Sequence, residues 1–146
     1  MGRLVICSRE MKAEKTLHYQ NKNTDLNRLK DDIMAYLQSD GFKVQTPKPS
    51  DNAWLIQAQK GGFLKEIISA ERALNIYIKG DPSDFTVRVG IGKWIQNISV
   101  TAVETILLSE LFLPLDVAEM LWNFNVEKKV VKRIDELVTS PQIQAP

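Results

Sequence analysis

The stretch that most constrains this chain runs from Arg72 to Asn97, RALNIYIKGDPSDFTVRVGIGKWIQN. Leu74, Ile76 and Ile78 alternate with Asn75, Tyr77 and Lys79. Phe85, Val87, Val89 and Ile91 alternate with Thr86, Arg88, Gly90 and Gly92. A period of two marks strands with one buried face. Between them, Gly80-Asp81-Pro82-Ser83-Asp84 is turn chemistry and reads as a five-residue loop of an antiparallel hairpin. Slipping either strand by one residue would turn its apolar row into water, so the register is strongly specified.

The second strand carries Gly90 and Gly92 on its non-core face. Glycine there weakens a strand and marks a bend or a close approach of another backbone. One reading is that a helix packs tightly on that spot or the strand bends. The other is a floor of bare backbone for a ligand or partner, with Arg88 and Lys93 beside it. GIGK is not a phosphate loop: the GxxxxGK[ST] spacing is missing, and Trp94 follows Lys93.

The rest of the chain supplies partners for this hairpin. Residues 1–14 form an N-terminal arm or short strand through Leu4–Cys7. KTLHYQ, 15–20, is a strand with Leu17 and Tyr19 on one face and His18 on the other. Thr24 and Asp25 offer an N-cap, Leu26, Leu29, Ile33 and Leu37 follow at spacings of three and four, and Gly41 stands where a helix ends. The expectation is an amphipathic helix over 25–40. Strands at 42–45 and 53–60 flank the turn-rich run 46–52; the second puts Trp54, Ile56 and Ala58 on one face and Leu55, Gln57 and Gln59 on the other. Residues 63–70 fit one or two helical turns, either an edge plug or a mobile flap.

After the hairpin, Asn97 or Ser99 can cap a helix over 98–113, densely apolar around Glu104 and Glu110. Pro114 interrupts, Asp116 and Glu119 have capping-box spacing, and Val126, Val130, Ile134 and Leu137 continue the apolar stripe. Lys128, Lys129, Lys132 and Arg133 lie on its exposed side, and residues 140–146 form a flexible tail. The domain is expected to span 15–139. Four consecutive strands joined by short loops, after a strand and a helix, predict an α+β fold. Its antiparallel, curved sheet of four to five strands packs on one N-terminal helix and a long, Pro-interrupted C-terminal helical region. Both helical regions are expected on one face of the sheet, leaving the other more polar.

Composition narrows the chemistry. Nineteen Lys and Arg balance eighteen Asp and Glu, which argues against a dedicated nucleic-acid binder. One cysteine rules out an internal disulfide and fits a cytoplasmic location. One Cys and one His cannot build a four-ligand zinc site, and neither sits in a nucleophile motif. Asp31-Asp32 reads as solvated helix charge, and Asp81 with Asp84 as turn charge. No catalytic residue, metal or cofactor is expected.

The element order resembles helix-grip and START-like domains. The run GGFLKEIISAERALNIYIKGDPSDFTVRVGIGKW, from Gly61 to Trp94, resembles small uncharacterised prokaryotic proteins, some of which carry a zinc ribbon that is missing here. The resemblance implies a family without an activity. The expected function is a non-enzymatic interaction module, self-associating or binding a protein partner through the apolar helix 98–122. The alternative is a small apolar-ligand or lipid-binding domain of helix-grip type. Trp54, Tyr77, Arg88, Lys93 and Trp94 are the candidate binding residues. Peripheral membrane contact through the same helix is a third reading, weakened by Glu104 and Glu110.

Overall fold

The structure, a computed structural model, describes residues 14–48, 50, 52–59, 72–106, 108–112 and 117–139. Along the chain lie β1 (Glu14–Gln20), α1 (Leu26–Ser39), β2 (Lys43–Gln45), β3 (Ala53–Gln59), β4 (Arg72–Asp81) and β5 (Asp84–Lys93). Two short 3-10 turns (Ile98–Val100 and Val103–Thr105), α2 (Leu108–Leu111) and α3 (Val117–Val138) complete the order. The strands form one open antiparallel sheet in the order β1-β5-β4-β3-β2. The fold is α+β, as the element order demands. The N-terminal arm, the apolar run 63–70, Pro114 and the tail lie outside the described residues.

The central hairpin takes the register its alternation requires: Leu74 opposes Ile91, Ile76 opposes Val89, and Ile78 opposes Val87. Its connection is shorter than expected. Pairing continues to Asp81 and Asp84, so the loop is a two-residue turn, Pro82-Ser83. Gly80 permits this closure. Its φ is +134°, and a Cβ there would run into the Asp84 carbonyl and Phe85. The chain after β1 docks on the same turn, Asn21 N–H donating to Ser83 O at 2.7 Å and Thr24 N–H to Pro82 O at 3.0 Å.

α1 forms where its caps and stripe place it. Asp25 accepts from Arg28 N at 3.1 Å at the start. At the end Gly41, at φ 92°, donates to Gln38 O, and Phe42 N–H donates to Leu37 O at 3.0 Å. This pair of bonds satisfies the last carbonyls of the helix. Leu26, Leu29, Ile33 and Leu37 are all buried. They meet Ile56, Ala58, Leu74, Ile76, Ile78, Phe85, Val87, Val89 and Ile91 of the first sheet face, joined by Val130, Ile134, Leu137 and Val138 of α3. Each fully buried Leu or Ile contributes about 1.5–3 kcal/mol to folding. Lys128, Lys129 and Lys132 lie exposed on α3, and Arg133, also exposed, sits on the flank beside α1, its guanidinium carbon 5.7 Å from the centre of the Tyr36 ring.

Two expectations fail for the C-terminal region. Residues 98–113 do not make one helix. Asn97 adopts φ 54° and its side chain caps nothing; two 3-10 turns and the four-residue α2 follow. Nor do both helical regions share one face. Ile98, Val103 and Leu111 pack with Ala53 and Leu55 in a second, smaller core on the other face, flanked by Tyr77, Ile95, Ile106 and Phe112. The apolar density of this region has its reason there: among the described residues, Ile98, Val103, Ile106, Leu111 and Phe112 cover the second sheet face. The expected polar face is therefore an interior. None of the described helices is long and apolar enough to cross a membrane.

Candidate interaction site on the second sheet face

On the second face one row of positions crosses the sheet. Gln45 of β2 stands opposite Gln57 of β3, Gln57 opposite Asn75 of β4, and Asn75 opposite Gly90 of β5. Three side-chain amides thus line up across three strands and end on a glycine. Gln57 and Asn75 are fully buried. Burying an amide costs free energy unless its hydrogen bonds are made, and here they are. Gln45 Nε2 donates to Gln57 Oε1 at 2.8 Å, and Gln57 Nε2 donates to Asn75 Oδ1 at 2.8 Å.

The remaining capacity of the row is spent on main chain. Gln57 Oε1 accepts from Ile95 N at 3.0 Å, and Gln57 Nε2 also donates to Lys93 O. Gln45 Nε2 donates to Ile95 O at 2.9 Å. Asn75 Nδ2 donates to Leu111 O at 2.8 Å. Gln57 therefore uses both acceptor sites and both donor hydrogens. All these backbone groups belong to the end of β5 or to the segment that follows it, Trp94–Phe112, which crosses the face as a strap. Near β2 the strap is clasped again by backbone: Lys48 N–H donates to Thr101 O, and Val103 N–H to Lys48 O, both at 2.9 Å.

Gly92 explains how close the strap comes. A Cβ at this position would overlap the Leu111 carbonyl group and Asn75 Nδ2. Of the two readings of the paired glycines, a tightly packed chain accounts for Gly92. The chain is the one-turn α2 and not a long helix. Arg88 anchors the far end, its guanidinium carbon 4.4 Å from the centre of the Phe112 ring.

The five candidate residues lie on both faces of the sheet and at its exit. Tyr77 and Arg88 oppose each other directly on the second face, under the strap. Lys93 is exposed and contributes its backbone carbonyl to the amide row. Trp94 begins the strap, half-buried, with Lys43 Nζ 5.8 Å from its ring centre. Trp54 is on the opposite face, packed on the larger core. Sequence pattern does not single out Gln45, Gln57 and Asn75. Their only signal is that three non-core strand positions carry side-chain amides, which reads equally well as a solvated face.

Titratable groups cluster elsewhere. His18 Nε2 and Asp84 Oδ1 are 2.6 Å apart at an exposed site between β1 and β5. Tyr19 O–H donates to Asp135 Oδ1 at 3.1 Å. Burial, and then the neighbouring Asp135 carboxylate, push the Tyr19 phenol well above its ordinary range. Among the described residues no group of three or more His, Cys, Asp or Glu side chains is placed to hold a metal. Comparison with protein-family models, curated proteins and solved structures finds no match to this chain.

Proposed function

We propose that this domain is a non-enzymatic interaction module. Its second sheet face holds a chain segment by bonding its main chain and burying its apolar side chains, and in the isolated protein that segment is its own strap. The observation that carries the reading is the direction of the amide row. Beyond the bonds that link the amides to one another, Gln45, Gln57 and Asn75 bond the backbone of residues 93, 95 and 111. Side-chain amides aimed at main chain fix the course of a segment, while burial of apolar positions such as Ile98, Val103 and Leu111 adds affinity. Self-association through the part of 98–122 that belongs to the strap, residues 98–112, follows when the face of one copy holds the strap of another, an exchange that needs no new contact chemistry. We place the module in the cytoplasm because of its single cysteine.

A strap-side substitution tests this without altering the face. Leu111→Asp puts a charge into the small core and releases the strap. The released protein is expected to bind a fluorescent synthetic peptide copying residues 94–112, read by anisotropy. A peptide carrying the same Leu111→Asp change is expected not to bind. If Leu111→Asp does not fold, Phe112→Ala loosens the strap more gently through the lost Arg88 contact. A folded, strap-released protein that ignores the peptide refutes the proposal. Native mass spectrometry of the wild type addresses the alternative: a retained apolar small molecule would favour ligand binding over chain binding.

A further inference from the structure

The two edges of the sheet are unequal. β2 is three residues long, and Lys48 just beyond it already exchanges two backbone hydrogen bonds with the strap. β1 is seven residues long and stands at the other end of the strand order, paired through its full length with β5. Among the described residues nothing pairs with its outer side. A strand of this length with one side unpaired presents a row of N–H and C=O groups that another strand can complete.

We infer that the outer edge of β1 is a self-association surface, pairing antiparallel with β1 of a second copy to give one sheet continuous through both. A twofold contact must be self-complementary, and the sequence EKTLHYQ meets that condition when Leu17 lies on the axis. Leu17 then opposes its own counterpart, Thr16 opposes His18, Lys15 opposes Tyr19, and Glu14 opposes Gln20. No like charges face each other. Leu17 is half-buried against the larger core, and its exposed remainder would be covered. Lys15 shares a face with Leu17 and Tyr19. In this register its ammonium arrives opposite the Tyr19 of the other copy, whose hydroxyl holds the exposed Asp135 carboxylate. Opposite charges thus meet twice across the axis. Strand-edge contacts of this length are small, so the dimer is weak and concentration-dependent.

This inference does not rest on strap exchange, and the two separate experimentally. Sedimentation velocity over a dilution series of the full chain is expected to show a reversible monomer–dimer equilibrium. Thr16→Lys with His18→Lys sets two Lys–Lys pairs directly opposite across the axis, at exposed positions outside either core. It is expected to shift the protein to monomer with the circular dichroism spectrum kept; Thr16→Lys alone, which sets the same Lys opposite Arg88 of its own chain but makes no Lys–Lys pair across the axis, is expected to keep the dimer. Lys15→Glu, which leaves both those residues in place, is expected to weaken the dimer as well. Leu111→Asp, which disrupts strap exchange, is expected to leave it. A wild type that stays monomeric throughout overturns the inference, as does a dimer indifferent to the double lysine variant. So does a monomer whose β1 amides are all protected from hydrogen exchange, because the edge is then held within one chain.

Discussion

Asn75→Ala is the most direct perturbation of the second face. Asn75 is fully buried and makes two side-chain hydrogen bonds, accepting from Gln57 and donating to the Leu111 carbonyl, each at 2.8 Å. Each contributes about 0.5–1.5 kcal/mol net, and a buried polar group left unpaired costs about 1–3 kcal/mol. Gln57 Nε2 keeps Lys93 O as a partner, so Leu111 O bears most of the second cost. The expected loss is about 2–4 kcal/mol, or about 4–16 °C in melting temperature for a chain near this size. The loss should be local. Hydrogen exchange followed by mass spectrometry is expected to show faster exchange at the strap amides of Val100, Thr101, Val103, Thr105 and Ile106. The amides of α1 and the centre of β4 should change little. Combining Asn75→Ala with Gln57→Ala should cost clearly less than the sum of the singles, because the two changes break one shared bond. A loss below about 1 kcal/mol, or strict additivity in the cycle, would refute the idea that the row works as a connected network.

Three further outcomes can be measured. Gly92→Ala should destabilise the fold by about 1–3 kcal/mol in urea titration, because its Cβ meets the Leu111 backbone, which cannot rotate aside. Arg88→Ala should cost about 0.5–2 kcal/mol by removing the cation over Phe112, with faster exchange confined to the strap; unchanged stability and exchange would make Arg88 an ordinary strand residue. Stability should also fall as pH rises beyond about 10, the unfolded-state range of tyrosine. The folded Tyr19 phenol is raised by burial first and by Asp135 second, so the folded state holds that proton after the unfolded chain has lost it. The contribution is complete below the unfolded value and is lost progressively through the window above it. Tyr19→Phe should flatten that part of the slope, leaving a smaller part from Tyr36, which is raised chiefly by burial.

Element identity was determined locally, and the sequence carries it in full for the first face. Period-two alternation set the register of β4 on β5, and Asp25, the Leu26-Leu29-Ile33-Leu37 stripe and Gly41 bounded α1. Those signals are readable because neighbouring residues in the chain supply both the pattern and its punctuation. The turn at Pro82-Ser83 read as longer than it is, since Gly-Asp-Pro-Ser-Asp does not show where pairing stops. Tertiary structure alone decided the second face. Whether Gln45, Gln57 and Asn75 meet water or each other depends on strands up to thirty residues apart arriving in one row. Whether Ile98–Leu111 is a helix, an interface or a cover depends on what it packs against. A second sheet face takes its apolar side chains, and short turns follow its course better than a straight helix can. Sequence pattern reports which residues avoid water; only the packed chain determines which polar groups join them, because that requires a partner for every buried hydrogen bond.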